Sequence, residues 1–327
     1  MSDVICFGEA LIDFHAGAPL EIAAPAQFTQ YAGGAPANVA VAVARLGGRS
    51  AYVGMLGRDV FADFLLQSFN AAGVDTRYVA RTAAANTGLA FVSLDAEGER
   101  RFSFYRPPAA DLLFRPEHFD PACFESAAIF HACSNSLTEA VIADTTLAGM
   151  RSARRAGALI SFDVNLRLAL WPRDVDPRPR IWAALGEADL VKLCGAELAF
   201  LAEPLASQQA VLNRLWEGRA ALVLVTDGAA PIRYFTRDRS GSVPTLQTHA
   251  VNTNAAGDAF IGGFLYRLVA GQIGAAELNG LCAGDDLTAA LRFAAACGAF
   301  AVTRHGAFTA MPTFDDVGEL LNADRNT

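Results

Sequence analysis

The segment VNTNAAGDAF, residues 251–260, places small residues immediately before a single carboxylate. Apolar residues recur at helical spacing after it, so a buried helix is predicted to begin near Ala255 or Ala256. The first turn of a helix carries unpaired backbone N–H groups and a partial positive charge, which can bind an anion without a lysine. Asp258 lies in this turn and could accept a proton there. Alternatively, Asp258 only complements the helix dipole, which is worth about 0.3–1 kcal/mol.

The rest of the chain alternates short apolar runs with amphipathic segments. Runs such as VICFG, AYVGML, ALISFDV and ALVLVTDG read as strands, and NVAVAVARL and FADFLLQSF read as helices. This order predicts a mainly parallel sheet covered by helices on both faces. TGLAFVSL and RRFSFYR, around DAEGE, predict a hairpin, and IRYFT and TLQTHA predict further extended segments. We expect a single domain over residues 1–327, with the hairpin as an appendage.

Composition excludes several classes of protein. A chain of 327 residues that is 53% hydrophobic and 18% charged can bury a large core. A net charge of −8 disfavours nucleic acid as a partner, because phosphate binding needs basic residues. The six cysteines form no C-x-x-C pair, so free thiols are expected. Acidic residues interrupt the first apolar run and no later run has spanning length, so we expect no membrane segment and a soluble cytoplasmic protein.

Familiar catalytic motifs are missing. The chain contains no G-x-G, which argues against a dinucleotide-binding oxidoreductase. Its single lysine, Lys192, does not follow a glycine-rich loop, so neither a P-loop nor a protein-kinase lysine is present. There is no H-E-x-x-H and no G-x-S-x-G. The sequence therefore favours chemistry built on the helix start at residues 255–258.

Two further stretches carry polar residues that suit a sugar. In GEALIDFHAG, Asp13 is predicted to stand just beyond the end of the first strand, an edge where open α/β sheets bind ligands. In YAGGAPANVAVAVARLGG, Gly33 and Gly34 allow close approach of the backbone, and Asn38 can both donate and accept hydrogen bonds. The alternatives are a polar residue on a half-exposed strand and a tight turn with an Asn helix cap.

Eight segments, in this order along nearly the whole chain, resemble the ribokinase-like (PfkB) carbohydrate kinases, and among them the bacterial fructokinases. They are GEALIDF (8–14), GGAPANVAVAVARLGG (33–48), VGMLGRDVFADFL (53–65), FSFYRPPAAD (102–111), FDVNLRLALW (162–171), VTDG (225–228), NAAGD (254–258) and TRHGA (303–307). The resemblance implies a three-layer α/β/α sandwich with a mainly parallel central sheet. It also implies a small β-sheet lid formed by roughly residues 11–31 and 87–111.

The resemblance assigns roles to individual residues. Ala256, Gly257 and Asp258 would supply the anion hole, with Asp258 as the general base, and Ala255 belongs to the same catalytic turn. The sugar hydroxyls would be bound by Asp13, Gly33, Gly34 and Asn38, with Arg106 reaching the substrate from the lid. The nucleotide would contact Asn165, Arg167, Thr226 and Gly228, and residues 290–303 would border the adenine. For Arg106 and Arg167, the alternative is an ordinary solvated surface charge.

The chain departs from the family pattern at three positions. Ala255 replaces a glycine, and we expect it to fit a right-handed helical start. Asn252 replaces an aspartate of the monovalent-cation site, so we expect potassium dependence to be weak or absent. The N-x-x-E motif, which holds Mg²⁺ through water, reads Cys194-Gly195-Ala196-Glu197, where a thiol is a poor substitute. Glu197 keeps the carboxylate, with the first turn of a helix as its alternative role.

The resemblance implies transfer of the γ-phosphoryl group of MgATP to a hydroxyl of fructose. The alternatives within the enzyme class are 2-dehydro-3-deoxygluconate kinase, ribokinase and nucleoside kinase. The alternative class is a sugar-binding protein without kinase activity. Because Phe102 and Phe104 on a projecting hairpin would need cover, we also expect a homodimer that pairs lid against lid.

Overall fold

A computed structural model describes residues 3–16, 27–94, 100–106, 108–125 and 127–325. Its strands are β1 (Val4–Phe7), β2 (Leu11–Ala16), β3 (Phe28–Gly33), β4 (Ser50–Gly57), β5 (Val79–Thr82), β6 (Gly88–Leu94), β7 (Arg100–Tyr105), β8 (Ile129–Cys133), β9 (Leu159–Asp163), β10 (Leu190–Cys194), β11 (Leu222–Asp227), β12 (Ala230–Phe235) and β13 (Ser240–Val243). Its helices are α1 (Ala35–Arg45), α2 (Val60–Ala72), α3 (Ala122–Glu125), α4 (Ala140–Arg155), α5 (Arg178–Leu185), α6 (Gly195–Ala202), α7 (Gln208–Glu217), α8 (Ala256–Ala270), α9 (Leu278–Ala283), α10 (Asp286–Ala301) and α11 (Phe314–Arg325).

Nine strands form the central sheet in the order β13-β12-β11-β10-β9-β8-β1-β4-β5. All neighbours from β11 to β5 are parallel, and β12 and β13 continue the sheet antiparallel. The last strand is Ser240–Val243, so the prediction of an extended strand in TLQTHA, residues 245–250, was wrong. The predicted mainly parallel sheet is confirmed.

Helices cover both faces of this sheet. Successive side chains of a strand point to opposite faces, and the apolar side chains of the buried strands form a core on each face. Val4 and Cys6 of β1 belong to the core that includes α1, α8 and α10, whereas Ile5 and Phe7 belong to the core under α4 to α7. The three-layer sandwich implied by the resemblance is therefore confirmed. Within the described ranges, no helix is both long enough and apolar enough to span a membrane.

A smaller sheet of four strands, in the order β3-β2-β6-β7, stands beside the large one. It contains the predicted hairpin β6–β7, whose turn DAEGE lies outside the described residues. Residues 110–113 lie beyond this sheet in a short 3-10 helix, so the small sheet ends before the expected limit at 111. Phe104 is half-buried against the core under α4 to α7. The side chain of Phe102 lies outside the described part.

Helix α8 packs tightly against its neighbours because two glycines remove side-chain volume. A Cβ at Gly262 would lie 2.5 Å from Ala42 Cβ of α1, and one at Gly263 would lie 2.6 Å from Cys297 Sγ of α10. The close approach holds the first turn of α8 against the edge where β9, β10 and β11 end. This edge carries Asn165, Thr226 and Gly228, which the resemblance assigned to the nucleotide.

Candidate active site

The predicted helix start at the centre of the site is confirmed, since α8 begins at Ala256. The residue before it, Ala255, has φ 60° and ψ 7°, which is left-handed, so the expectation that it fits a right-handed start was wrong. This conformation costs a non-glycine residue about 1–2 kcal/mol. The free N–H groups of the first turn can bind an anion.

Asp258 lies in this first turn with 7% of its surface exposed. Asn38 Nδ2 of α1 donates to its Oδ2 at 2.7 Å, and Asn165 Nδ2 donates to its Oδ1 at 3.3 Å. Burial raises the pKa of Asp258, while the Asn38 hydrogen bond and the charges of Lys192 and Arg167 lower it. An oriented carboxylate with a raised pKa is a good proton acceptor near neutral pH.

Asp13 faces the same space from the small sheet. It lies within β2, paired with Tyr31 of β3, and not beyond the end of the first strand as predicted. Burial and the nearby charge of Asp258 raise its pKa to about 7. A Cβ at Gly33 would overlap Asp13 Oδ2, so the glycine makes room for this carboxylate.

Gly34 is the N-cap of α1 and has φ 106°. A Cβ there would lie 2.5 Å from the carbonyl oxygen of Glu9, so only glycine fits without strain. Glu9 in turn accepts from Ala35 N–H at 3.1 Å and from Asn135 Nδ2 at 2.9 Å. Glu9 therefore holds the start of α1, a role that the sequence reasoning missed. The only available signal was its place in GEALIDF.

Arg106 follows β7 and is 4% exposed, so it is not a solvated surface charge. Its Nη2 lies 2.5 Å from Asp111 Oδ2 and donates to the Asn135 carbonyl oxygen at 2.9 Å. The charge of Glu9 also favours the protonated guanidinium. Asp111 thus forms a buried ion pair with a residue that the resemblance assigned to the substrate.

The residues assigned to the nucleotide lie at the ends of β9 and β11. Asn165 has φ 34° and binds Asp258, whereas Arg167 is exposed. Thr226 is half-buried near the end of β11, paired in register with Cys194, and Gly228 follows in a turn with φ 54°. The chain therefore brings all four to the edge that carries Asp258.

Glu197 is buried at the start of α6, and both of its oxygens accept backbone N–H groups. Leu166 N donates to Oε1 and Cys194 N donates to Oε2, each at 2.7 Å. Each carboxylate oxygen keeps a second lone pair, so a magnesium-bound water still fits. Burial raises the pKa of the Cys194 thiol, which keeps that side chain a neutral, soft and poor partner for magnesium.

Asn252 is buried, and its Oδ1 accepts from Asn254 N–H at 2.9 Å. This amide oxygen could contribute one neutral ligand to a monovalent cation but no charge. The residue present thus fits a potassium ion poorly compared with an aspartate.

Lys192 is the residue that the sequence analysis set aside and that the fold brings into the site. Lys192 of β10 and Asp163 of β9 are paired in register, and Nζ lies 2.9 Å from Asp163 Oδ2. The same Nζ lies against Gly257, so the fold places a lysine beside the first turn of α8. No sequence motif indicated this, because the contact depends on strand order.

The pfkB family carbohydrate kinase pattern matches residues 1–314. Fructokinase-1 from Oryza sativa subsp. japonica is 41% identical over 321 residues, which cover 98% of each chain. The structure of fructokinase with bound ATP from Xylella fastidiosa matches with a TM-score of 0.95 and 55% identity over 99% of each chain. A Vibrio cholerae O395 fructokinase double mutant, in a fructose, ADP and potassium ion bound form, matches with a TM-score of 0.85 and 32% identity over 98% of each chain. Together with the sheet topology and the start of α8, these similarities confirm the resemblance: the chain belongs to the pfkB family of carbohydrate kinases.

Proposed function

We propose that this protein is a fructokinase that transfers the γ-phosphoryl group of ATP to a hydroxyl of fructose. The observation that carries the proposal is the position of Asp258, buried in the first turn of α8 and held by Asn38 and Asn165. The relatives named above are fructokinases, and two of their structures contain ATP, or fructose with ADP. A carboxylate beside free helix N–H groups suits this chemistry.

In the proposed reaction, Asp13 and Asn38 hold the sugar so that one hydroxyl faces Asp258. Asp258 accepts the hydroxyl proton while the oxygen forms a bond to the γ-phosphorus and the bond to the bridging β–γ oxygen breaks. The N–H groups of Ala255, Ala256 and Gly257 stabilise the negative charge on the transferring group. ADP leaves with the electron pair of the broken bond.

The nucleotide would lie along Asn165, Arg167, Thr226 and Gly228, with residues 290–303 beside the adenine. A magnesium ion held through water by Glu197 would neutralise phosphate charge. Asn252 offers a cation one uncharged oxygen that already accepts a hydrogen bond. We therefore expect potassium to change kcat little, in contrast to enzymes with an aspartate at this position.

A neutral sugar fits this site better than the sugar acid 2-dehydro-3-deoxygluconate. A carboxylate substrate needs a cation that is not already neutralised. Arg106 is ion-paired to Asp111 and lies near the charge of Glu9, while Asp258 adds negative charge. Ribose and nucleosides remain the neutral alternatives. A coupled assay of fructose, ribose, 2-dehydro-3-deoxygluconate and adenosine under equal conditions ranks them.

We further propose that the four-stranded sheet closes over the sugar as a lid of a single kinase domain, and that two lids pair in a homodimer. Closure would exclude water that otherwise hydrolyses ATP. Six free cysteines, five of them buried, support a reducing compartment such as the cytoplasm.

The decisive test is Asp258→Asn, which keeps the shape of the side chain and removes the base. We expect kcat to fall by at least about 10³-fold, while the fructose Kd measured by calorimetry changes less than about threefold. Retention of kcat would contradict the assigned base. A wild-type protein that binds fructose but never turns over ATP would instead support the alternative, a sugar-binding protein without kinase activity.

A further inference from the structure

Lys192 is the single lysine of the chain, and the reaction described above leaves it without a role. Side chains alternate along β10, so Lys192 points to the same face as Leu190, which belongs to the core under α1, α8 and α10. Its side chain is 7% exposed, and Nζ bonds Asp163 Oδ2 at 2.9 Å. A buried ammonium is costly, so its retention calls for a physical reason.

The ammonium lies directly against the first turn of α8. A Cβ placed on Gly257 would be 2.9 Å from Nζ, closer than real Cβ contacts come. The glycine therefore leaves room for Lys192 at the mouth of the anion hole. The charge also reaches Asp258, whose pKa it lowers.

The surroundings keep Lys192 charged. Burial alone would lower its pKa, but the carboxylates of Asp163 and Glu197 together raise it to about 12. An ammonium group carries three N–H donors, and the bond to Asp163 uses one of them. A fixed, charged donor at the mouth of α8 adds full charge to the partial charge of the helix dipole.

We propose that Lys192 is a catalytic residue whose ammonium donates a hydrogen bond to an oxygen of the phosphoryl group in transit. The inference rests on the proposed phosphoryl transfer at α8 and deepens it. Lys192 transfers no proton: it stabilises the charge on a non-bridging oxygen while one P–O bond forms and the other breaks. Asp163 is its positioning residue, because it fixes the ammonium between β9 and α8.

The test removes the buried pair as a unit. Lys192→Met alone leaves Asp163 buried without its cation, so the main variant is Lys192→Met with Asp163→Asn. We expect kcat to fall by about 10²–10³-fold, with the fructose Kd unchanged within about threefold. Asp163→Asn alone keeps the lysine, and its kcat is expected to fall by about tenfold or less.

A second measurement separates catalysis from structure. Two mixtures are compared. The first contains ADP, aluminium fluoride and fructose, in which aluminium fluoride mimics the phosphoryl group in transit. The second contains ADP and fructose without that mimic. We expect the double variant to lose at least about tenfold more affinity for the first mixture than for the second. A merely structural lysine would weaken both mixtures equally or lower only the melting temperature.

Three outcomes overturn the inference: kcat within about threefold of wild type, a fructose Kd that weakens as much as kcat, or equal losses for the two mixtures. Should the double variant fail to fold, Gly257→Ala decides, because its Cβ displaces the ammonium and keeps the ion pair. Unchanged kcat in that variant also overturns it.

If Asp258→Asn is inactive while the double variant is fully active, only the role of Lys192 fails. If Asp258→Asn stays active, the proposed base fails instead.

Discussion

At the scale of single residues, the site combines two carboxylates with different neighbours. Asp258 is held by two amide donors. Burial raises its pKa, and the hydrogen bond from Asn38 opposes that effect. Asp13 lies near that negative charge, and its pKa rises to about 7. Below this pH Asp13 keeps a proton, so it can donate to a sugar oxygen as well as accept from a hydroxyl. In the proposed reaction, Asp13 would therefore hold the sugar and Asp258 would take its proton.

The raised pKa of Asp13 predicts how Asp13→Asn changes stability with pH. The ordinary pKa is 3.8 and the folded value is about 7, so the folded protein holds this proton more tightly than the unfolded chain. The resulting stabilisation is fully present below about pH 4 and is lost as pH rises to about 7. Asparagine cannot ionise and escapes this loss.

We therefore expect the melting temperature of Asp13→Asn to rise relative to wild type between pH 4 and pH 7. The measurement is thermal unfolding at half-unit pH steps on both proteins. A difference that stays constant across this range would show that Asp13 titrates at its ordinary value. Asp3→Asn, on the exposed ion pair with Arg49, serves as the control.

At the scale of elements, the site depends on how three segments end. β9 and β10 run in parallel register, which puts Asp163 beside Lys192 and aims both at α8. α8 begins after a residue with left-handed geometry, Ala255, and its first turn carries Asp258 and lies against Lys192 of β10. The helix dipole, the carboxylate of Asp258 and the ammonium of Lys192 therefore meet at one helix start.

The left-handed residue at this start gives an element-scale prediction. Ala255→Gly removes the steric cost of φ 60°, and we expect the free energy of unfolding to rise by about 1 kcal/mol. Urea denaturation at constant m-value measures it. Ala206, with φ 64° after the short helix Glu203–Leu205, is the matched control. Ala206→Gly should give a similar gain in stability. A loss of stability in both variants would contradict a steric cost of the left-handed conformation at these alanines.

At the scale of the whole molecule, one face of the small sheet carries a cluster of four aromatic side chains. The ring of Phe91 lies 5.0 Å from that of Phe14, 5.4 Å from Phe28 and 5.3 Å from Tyr105. Tyr105 is 66% exposed. These rings, and not Phe104, form the surface through which we expect two lids to pair.

Phe91→Asp tests the pairing of lids. Burying a carboxylate among these rings in an interface has a high desolvation free energy. We therefore expect the dimer to become a monomer at micromolar concentration. Light scattering measures the mass. Val60→Asp, at a side chain 74% exposed on α2, is the matched control and should leave the mass unchanged. A wild-type monomer at this concentration would contradict the homodimer.

The features that the sequence predicted well are local ones. The start of α8, the hairpin β6–β7 and the burial of strands on two faces follow from residue spacing within a few turns or one strand. The features it missed are contacts between distant segments. Arg106 meets Asn135 in the interior across 29 residues of chain, and Glu9 meets Asn135 across 126. The residues next to them in the sequence do not show whether such side chains are exposed or which residues they contact.

The sequence by itself determined the class of fold, the helix that carries Asp258 and the small residues around it, because hydrophobic periodicity and the lack of a Cβ act within one element. Only the tertiary structure decided which charges share the site. Lys192 and Asp163 are separated by 29 residues and meet because β9 and β10 are neighbours in register. Strand order and register are set by the packing of the whole core, so the electrostatics of this site are a property of the assembled fold.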